Sequence, residues 1–208
     1  MEQRAEAGVR RRAQREGHVE VVSGPMFAGK SEELLRRVRR ARYAGLRVEV
    51  VHHAVDTRRG AGAVSSHSGM TDEAVPLADV AGLERFVAGA ALDVLAIDEA
   101  QFFGPDLVDA VQRLAGRGLT VVVAGLDVTF DARPFEPMPS LAALAESVTR
   151  LTAVCSVCGA DAGFHQRVTT PVVAAAAWSA RDTRPELVGG AESYVARCRH
   201  HLDGRPWD

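Results

Sequence analysis

The chain has 208 residues, of which 47% are hydrophobic and 25% charged, and its formal net charge is −2. This length suits one main globular domain with a small appended module. No large basic face is implied, so we do not expect a nucleic acid polymer as the main partner. No run of about 18 apolar residues occurs, so we expect no membrane-spanning helix and no membrane partner.

The N-terminal segment, residues 1–17, is polar and Arg-rich and lacks the apolar stretch of a secretory signal. We expect it to be a disordered extension, because chain termini are often poorly ordered. The chain contains only three cysteines, which without a signal favours a reducing compartment. We therefore expect a cytoplasmic protein.

Short apolar strands alternate with amphipathic helices through the first 125 residues. Strands are predicted at 18–23, 47–52, 92–97 and 119–124, with a short extended piece at 73–76. Helices are predicted at 31–44, 79–88 and 105–115. The segment 54–70 is long for a loop, so it is either mobile or functional. This alternation predicts an α/β fold, with a parallel sheet covered by helices on both faces.

The pattern changes after Gly125. Residues 127–139 form a predicted loop with three prolines, and Ser140 is placed to cap a helix over 141–146. A strand is predicted over 148–154, followed by an irregular, cysteine-containing region. The apolar run 172–178 fits a helix, a strand or a lid. We place a domain boundary near Arg150.

A phosphate-binding pattern lies between the first predicted strand and the first helix. The pattern is G-x-x-x-x-G-K-[ST], and this strand–helix context is the one that supports a P-loop. Its backbone N–H groups and the helix N-terminus would face phosphate oxygens. Lys30, the only lysine among 25 basic residues, would reach the β- and γ-phosphates, and Ser31 would bind Mg²⁺. The pattern comprises Gly24, Pro25, Met26, Phe27, Ala28, Gly29, Lys30 and Ser31.

An acidic pair, Asp98 and Glu99, ends the strand 92–97 and is followed by Ala100 and Gln101. Open α/β sheets bind ligands at the carboxyl ends of their strands, so Asp98 should lie beside the P-loop and hold Mg²⁺. Glu99 is a candidate general base; the alternative is a helix-capping or solvated acid. The same four-residue run occurs in ATPases, where the glutamate activates water, so it does not separate a kinase from an ATPase.

Two metal-ligand pairs lie in the C-terminal region, Cys155-x-x-Cys158 and Cys198-x-x-His201. Three thiolates and an imidazole suit a tetrahedral, structural Zn²⁺ site without an open position. His200 is the competing fourth ligand, and the spacing favours His201. The alternatives are a CxxC redox pair and cysteines that form no site.

These segments together resemble the type II thymidine kinases, a zinc-containing family found in bacteria and animals. The matching segments run in order from about residue 19 to 201. They are GPMFAGKS at 24–31, VDTR at 55–58, IDEAQFF at 97–103, GLDVTFDARPF at 125–135, LAESVTRLTAVCSVC at 144–158 and VGGAESYVARCRHH at 188–201.

The resemblance implies transfer of the γ-phosphoryl group of ATP to the 5′-hydroxyl of thymidine. It implies that Glu99 is the general base, that Asp98 is the acid on the magnesium side, and that Arg58 lies near the phosphates. It also implies a homotetramer and feedback inhibition by thymidine triphosphate.

The resemblance also implies a thymidine site closed by a lasso loop over about 167–194. Asp56 corresponds to the contact with the deoxyribose 3′-hydroxyl, Gly189 to a backbone contact with the sugar, and Tyr194 to a side chain that closes the pocket. His165 lies beside the expected position of the thymine base, where the family usually has a small residue with a hydroxyl group. The residues that match the lining of the thymine pocket are Met26, Leu126, Phe130 and Phe135.

We thus predict three regions: the extension 1–17, a P-loop ATP-binding domain at 18–150, and a zinc-ribbon-like domain with the lasso at 151–208. Two other functions stay open on the residues alone. One is an ATPase of the DEAQ-box kind, although the chain lacks a second motor domain and a basic track. The other is a non-catalytic zinc module, although the nucleotide-site residues are intact.

Overall fold

The computed structural model describes residues 16–55, 63–65, 71–167, 194–204 and 207. Asp56, Arg58 and Gly189 lie outside the described residues. So do residues 1–15 of the predicted N-terminal extension, most of the segment 54–70, the apolar run 172–178 and the interior of the predicted lasso.

The strands are β1 His18–Gly24, β2 Val48–His53, β3 Ala63–Ser65, β4 Thr71–Glu73, β5 Val75–Leu77, β6 Val94–Asp98, β7 Thr120–Leu126 and β8 Ser147–Arg150. Six of them form the parallel central sheet, in the order β5-β2-β6-β7-β1-β8. The four inner strands are rich in valine and mostly buried, as expected for a parallel sheet covered on both faces. A separate antiparallel hairpin pairs β3 with β4, so part of the predicted loop at 54–70 is a strand.

Helices cover both faces of this sheet. The helix α1 (Lys30–Tyr43) buries Leu34, Leu35 and Val38 against one face. The helices α2 (Val80–Ala88), α3 (Leu107–Gly116) and α4 (Met138–Leu144) cover the other face. Each fully buried leucine contributes roughly 1.5–3 kcal/mol relative to an exposed one. The predicted α/β fold is confirmed.

The helix predicted at 141–146 with a Ser140 cap is wrong in its start. α4 begins at Met138, with Pro137 at its N-cap. Met138 and Leu141 are spaced three residues apart and are both fully buried, so packing of this pair extends the helix towards the N-terminus. Prolines at the first turn do not oppose this start, because the N–H groups there have no helical partner.

The single strand predicted at 148–154 is also wrong. β8 ends at Arg150, and a separate short strand, β9 (Ala153–Val154), pairs with β10 (Asp161–Ala162) in a two-stranded sheet. The break follows from the neighbouring strand. β8 pairs with β1, which ends at Gly24, so the chain has no further partner in the sheet beyond that level.

The C-terminal module consists of two small antiparallel sheets. Besides the β9–β10 pair, β11 (Phe164–Arg167) pairs with β12 (Tyr194–Arg197). Its small core contains Ala153, Ala162, Ala196 and two cysteines, and Phe27 and Ala28 of the P-loop segment pack against it. The domain division at 150 stays a prediction. In the described parts of the chain, no helix is both long and apolar enough to cross a bilayer.

Candidate active site and metal centre

The backbone between β1 and α1 forms a tight loop that depends on two glycines. Gly24 has a φ of 145°, and a Cβ there would lie 2.5 Å from the Leu151 carbonyl oxygen. Gly29, with a φ of 83°, is the N-cap of α1, where no side chain caps the helix. Glycine adopts these angles without the steric cost of a side chain. The first N–H groups of α1 are therefore free of a capping side chain, as an anion site requires.

The predicted magnesium ligands, Ser31 and Asp98, are in contact. Asp98 is 4% exposed and lies at the carboxyl end of β6, where its carboxylate accepts hydrogen bonds from the Ser31 hydroxyl and from the Glu99 N–H at 3.0 Å. Burial, followed by the charge of Glu99, raises the pKa of Asp98 to about 6, while Ser31 and Lys30 oppose the rise. A buried carboxylate of this kind beside a hydroxyl fits a hard cation such as Mg²⁺.

The Glu99 carboxylate is held by Gln101. The Gln101 amide donates to Glu99 Oε2 at 2.5 Å, and its carbonyl oxygen accepts from the Leu126 N–H at 3.0 Å. Glu99 has a φ of 52° and its side chain makes no helix-capping hydrogen bond, which argues against the capping alternative. A non-glycine residue in the left-handed region is uncommon and often marks a functional site. Glu99 is half-buried, so a substrate can reach it.

Lys30 of the P-loop and His165 of the C-terminal module lie close enough to interact electrostatically. Lys30 Nζ donates to the Pro25 carbonyl oxygen at 2.8 Å. His165 is 3% exposed, and its ring meets the Tyr194 ring edge-on with centroids 5.7 Å apart. Burial, and then the charge of Lys30, lowers the pKa of His165 to about 3. The imidazole is therefore neutral at physiological pH and lies within electrostatic range of Lys30.

The residues predicted to line the thymine pocket differ in how far they are buried. Met26, Phe135 and Tyr194 are buried, whereas Leu126 and Phe130 are half-buried. The turn that carries the two phenylalanines is closed by a hydrogen bond from the Phe135 N–H to the Asp127 carbonyl oxygen at 3.1 Å. Met26 follows the carboxyl end of β1 and Leu126 ends β7, on the sheet edge where Glu99 follows β6, whereas Tyr194 begins β12 of the C-terminal module.

The four predicted zinc ligands converge. Their ligand atoms all lie within 4.8 Å of one another, and the cluster includes His201 and not His200. The Sγ atoms of Cys158 and Cys198 are 3.8 Å apart, and His201 Nδ1 is 3.2 Å from Cys198 Sγ and 3.8 Å from Cys155 Sγ. A tetrahedral Zn²⁺ site has S–S edges of about 3.8 Å and S–N edges of about 3.6 Å, from Zn–S and Zn–N bonds of about 2.3 and 2.05 Å. The cluster therefore has the dimensions of a metal site.

The thiolate form is favoured at Cys155. Backbone hydrogen bonds, first that from Cys198, lower the pKa of the Cys155 thiol to about 5. At Cys158 a backbone hydrogen bond from Ala160 lowers the pKa, but burial and the neighbouring side chains of Cys155 and Cys198 outweigh it and raise the pKa of that thiol. The thiolate is the form that binds metal. All three cysteines are free of disulfide bonds.

Three polar residues that the sequence analysis did not single out join the module to the sheet. Asp127 accepts from the Arg150 guanidinium at 2.7 Å and from the Ser23 hydroxyl at 3.1 Å. Arg150 also donates to the Gly163 carbonyl oxygen at 3.2 Å. Because their partners are distant in sequence, only the general rule for strand ends could have indicated Ser23 and Asp127.

Among solved structures, domain III of the replication initiation protein DnaA from Thermotoga maritima aligns with a TM-score of 0.39 and 13% identity, over 71% of this chain and 61% of that one. That likeness is too distant to carry an inference.

Curated relatives are much more similar. The thymidine kinase of Deinococcus deserti is 48% identical over 196 residues, which cover 89% of this chain and 95% of that protein. The thymidine kinases of Deinococcus radiodurans and Bdellovibrio bacteriovorus are 48% and 45% identical, over 90% and 89% of this chain and 92% and 85% of theirs. The thymidine kinase family model matches residues 17–202. This chain therefore belongs to the thymidine kinase family.

Proposed function

We propose that this protein is a thymidine kinase, which transfers the γ-phosphoryl group of ATP to the 5′-hydroxyl of thymidine. The observation that carries the proposal is the half-buried Glu99 carboxylate, held by Gln101 at the same sheet edge as the P-loop in a chain of this family. Neither alternative, an ATPase or a non-catalytic zinc module, accounts for a match to the thymidine kinase family over residues 17–202.

In this proposal the P-loop binds the phosphates, and the acidic pair helps to bind Mg²⁺ and accepts the proton of the substrate hydroxyl. The backbone N–H groups of residues 24–31 other than Pro25, with Lys30, bind the β- and γ-phosphates, and Ala100 and Gln101 complete the nucleotide side of the site. Ser31 and Asp98 would hold Mg²⁺, which neutralises phosphate charge when bound. Glu99 takes the proton of the 5′-hydroxyl as that oxygen attacks the γ-phosphorus, and ADP leaves with the bridging oxygen.

The thymidine side of the site rests on the family resemblance and on burial. We assign Met26, Leu126, Phe130 and Phe135 to the thymine pocket, because a flat methylated base suits an apolar lining. Tyr194, buried against His165, would close the pocket, and His165 would face the base as a neutral ring. Asp56 and Gly189 would contact the sugar, and Arg58 the phosphates.

The metal cluster has a structural role in this proposal. Four ligands leave no open position for a catalytic water, and the distances among Cys155, Cys158, Cys198 and His201 suit Zn²⁺. The cluster would hold together β9, β12 and the chain that packs on the P-loop. The division at residue 150 and a cytoplasmic location rest on the sequence pattern and on the cysteine content. A homotetramer and feedback inhibition by thymidine triphosphate rest on the resemblance alone.

The direct test incubates the purified chain with ATP, Mg²⁺ and thymidine and measures thymidine monophosphate. Product is expected from the wild type; its absence from well-folded protein would refute the proposal, and ATP hydrolysis independent of thymidine would favour the ATPase alternative.

The variant Glu99→Gln should retain ATP binding and lose roughly 10²- to 10⁴-fold in kcat, because it removes the base. Glu49→Gln is the matched control, since Glu49 is an exposed acid on β2. A kcat for Glu99→Gln within about threefold of the control would remove Glu99 from the role of base.

A further inference from the structure

His52 lies beside Asp98 at the carboxyl edge of the sheet. The two residues are in register on the neighbouring strands β2 and β6, and His52 is 4% exposed. Residues in register on adjacent strands project to the same face. Val50 and Ala96, two positions earlier on each strand, pack under α1. His52 therefore projects to the α1 side, the side on which Ser31 contacts Asp98.

The hydrogen bonding of His52 determines what its free nitrogen can do. Its Nδ1 lies 3.1 Å from the carbonyl oxygen of His53. A carbonyl oxygen only accepts, so Nδ1 carries the proton in this contact, and Nε2 of the neutral ring is an acceptor. Nε2 is buried and has no hydrogen-bond partner within the described part of the chain. A buried acceptor without a partner costs folding free energy, so we expect this atom to accept a hydrogen bond when the site is occupied.

The chemistry of this edge limits what the donor can be. Phosphate oxygens and the ionised Asp98 carboxylate only accept, so neither can donate the hydrogen bond that an unprotonated Nε2 needs. Mg²⁺ in proteins usually keeps several of its waters, and a metal-bound water is a strong donor. Groups that bond to the inner ligands of a metal orient the site and tune its affinity.

We propose that His52 is a positioning residue of the magnesium–nucleotide site, whose Nε2 accepts a hydrogen bond from a water of the ion held by Ser31 and Asp98. The inference rests on the magnesium ligands of the proposed function. It is independent of which nucleoside receives the phosphoryl group.

The neighbouring His53 provides a matched control. It projects to the opposite face, where its Nε2 lies 2.9 Å from the Ala78 carbonyl oxygen and its Nδ1 accepts from the Val55 N–H at 3.2 Å. Its ring packs edge-on against Phe103 with centroids 4.8 Å apart. His53 is thus a buried imidazole of the same strand end with both nitrogens satisfied.

The test measures ADP binding by calorimetry across a Mg²⁺ titration, without thymidine. His52→Leu should raise the Mg²⁺ concentration at half-maximal tightening roughly tenfold, and leave ADP affinity in EDTA within about twofold of the wild type. His52→Gln, which puts an amide oxygen near the position of Nε2, should restore the Mg²⁺ response to within about threefold of the wild type. His53→Leu should lower the thermal midpoint without moving the Mg²⁺ response.

Three results would overturn the inference. The first two are an unchanged Mg²⁺ response in His52→Leu and an equal shift of the Mg²⁺ response in His53→Leu. The third is a change of the Mg²⁺ response in His52→Leu that appears only when thymidine is added, because a nucleoside hydroxyl would then be the donor. His52→Phe keeps a ring without an acceptor and takes the place of His52→Leu if that variant does not fold. A wild type that binds MgADP but makes no thymidine monophosphate would refute the proposed function, while a Mg²⁺ shift in His52→Leu would still support this inference.

Discussion

Replacing Asp98 by Asn should stabilise the free protein while removing its magnesium ligand. Burial raises the pKa of Asp98 from 3.8 to about 6, so the folded state opposes ionisation of this carboxyl. Asparagine has the same shape, and its amide can still accept from the Glu99 N–H and bond to Ser31. The variant therefore removes the buried charge with little change in packing.

The size and pH dependence of the effect follow from the pKa. Between pH 3.8 and about 6 the folded state binds more protons at Asp98 than the unfolded state, so this group lowers the free energy of unfolding as the pH rises. The difference between the two pKa values corresponds to about 3 kcal/mol. The advantage of Asp98→Asn should be near zero below pH 4 and reach about 3 kcal/mol above pH 7.

The assay is urea unfolding from pH 4 to 8 in EDTA, without nucleotide. Glu49→Gln is the control, because Glu49 is an exposed acid on β2 and its variant should follow the wild type at every pH. With MgATP at 1,000 times its Kd for the wild type the order should reverse, since such a ligand stabilises the protein that binds it by about 4.1 kcal/mol. A stability difference independent of pH, or a variant less stable than the wild type at pH 8, would refute the reasoning.

Two further predictions concern the metal cluster and the backbone next to Gln101. Cys158→Ser should lower the zinc content from near one per chain to near zero by mass spectrometry, and lower the thermal midpoint, because three ligands bind metal more weakly; a full zinc content would exclude Cys158 as a ligand. Gly125→Ala should cost about 1–3 kcal/mol in urea unfolding, because its Cβ would lie 2.7 Å from Met138 Sδ and 2.8 Å from Gln101 Oε1. It should also lower kcat, because a displaced Gln101 no longer holds Glu99. Stability and kcat equal to those of the wild type would contradict this prediction, since Met138 and Gln101 would then move aside without cost.

Local patterns were sufficient for the main strands and the site motifs. The pattern of residues 24–31 predicted a phosphate loop because glycine spacing, a preceding strand and a following helix are all local features. The pairs at Cys155 and Cys198 predicted a metal cluster because a two-residue spacing brings ligands together. The start of α4 was missed, because tertiary packing of Met138 and Leu141 decided it.

By itself, the sequence determined the α/β class, the P-loop, the acidic pair and the two ligand pairs of the metal cluster, since each depends on residues close together in the chain. Only the tertiary structure decided the strand order, the placement of the C-terminal module against Phe27 and Ala28, and the position of His52 beside Asp98. Periodicity shows which residues are buried, but pairing between strands far apart in the chain depends on how whole faces pack. The second group of contacts therefore appears only when the sheet is assembled.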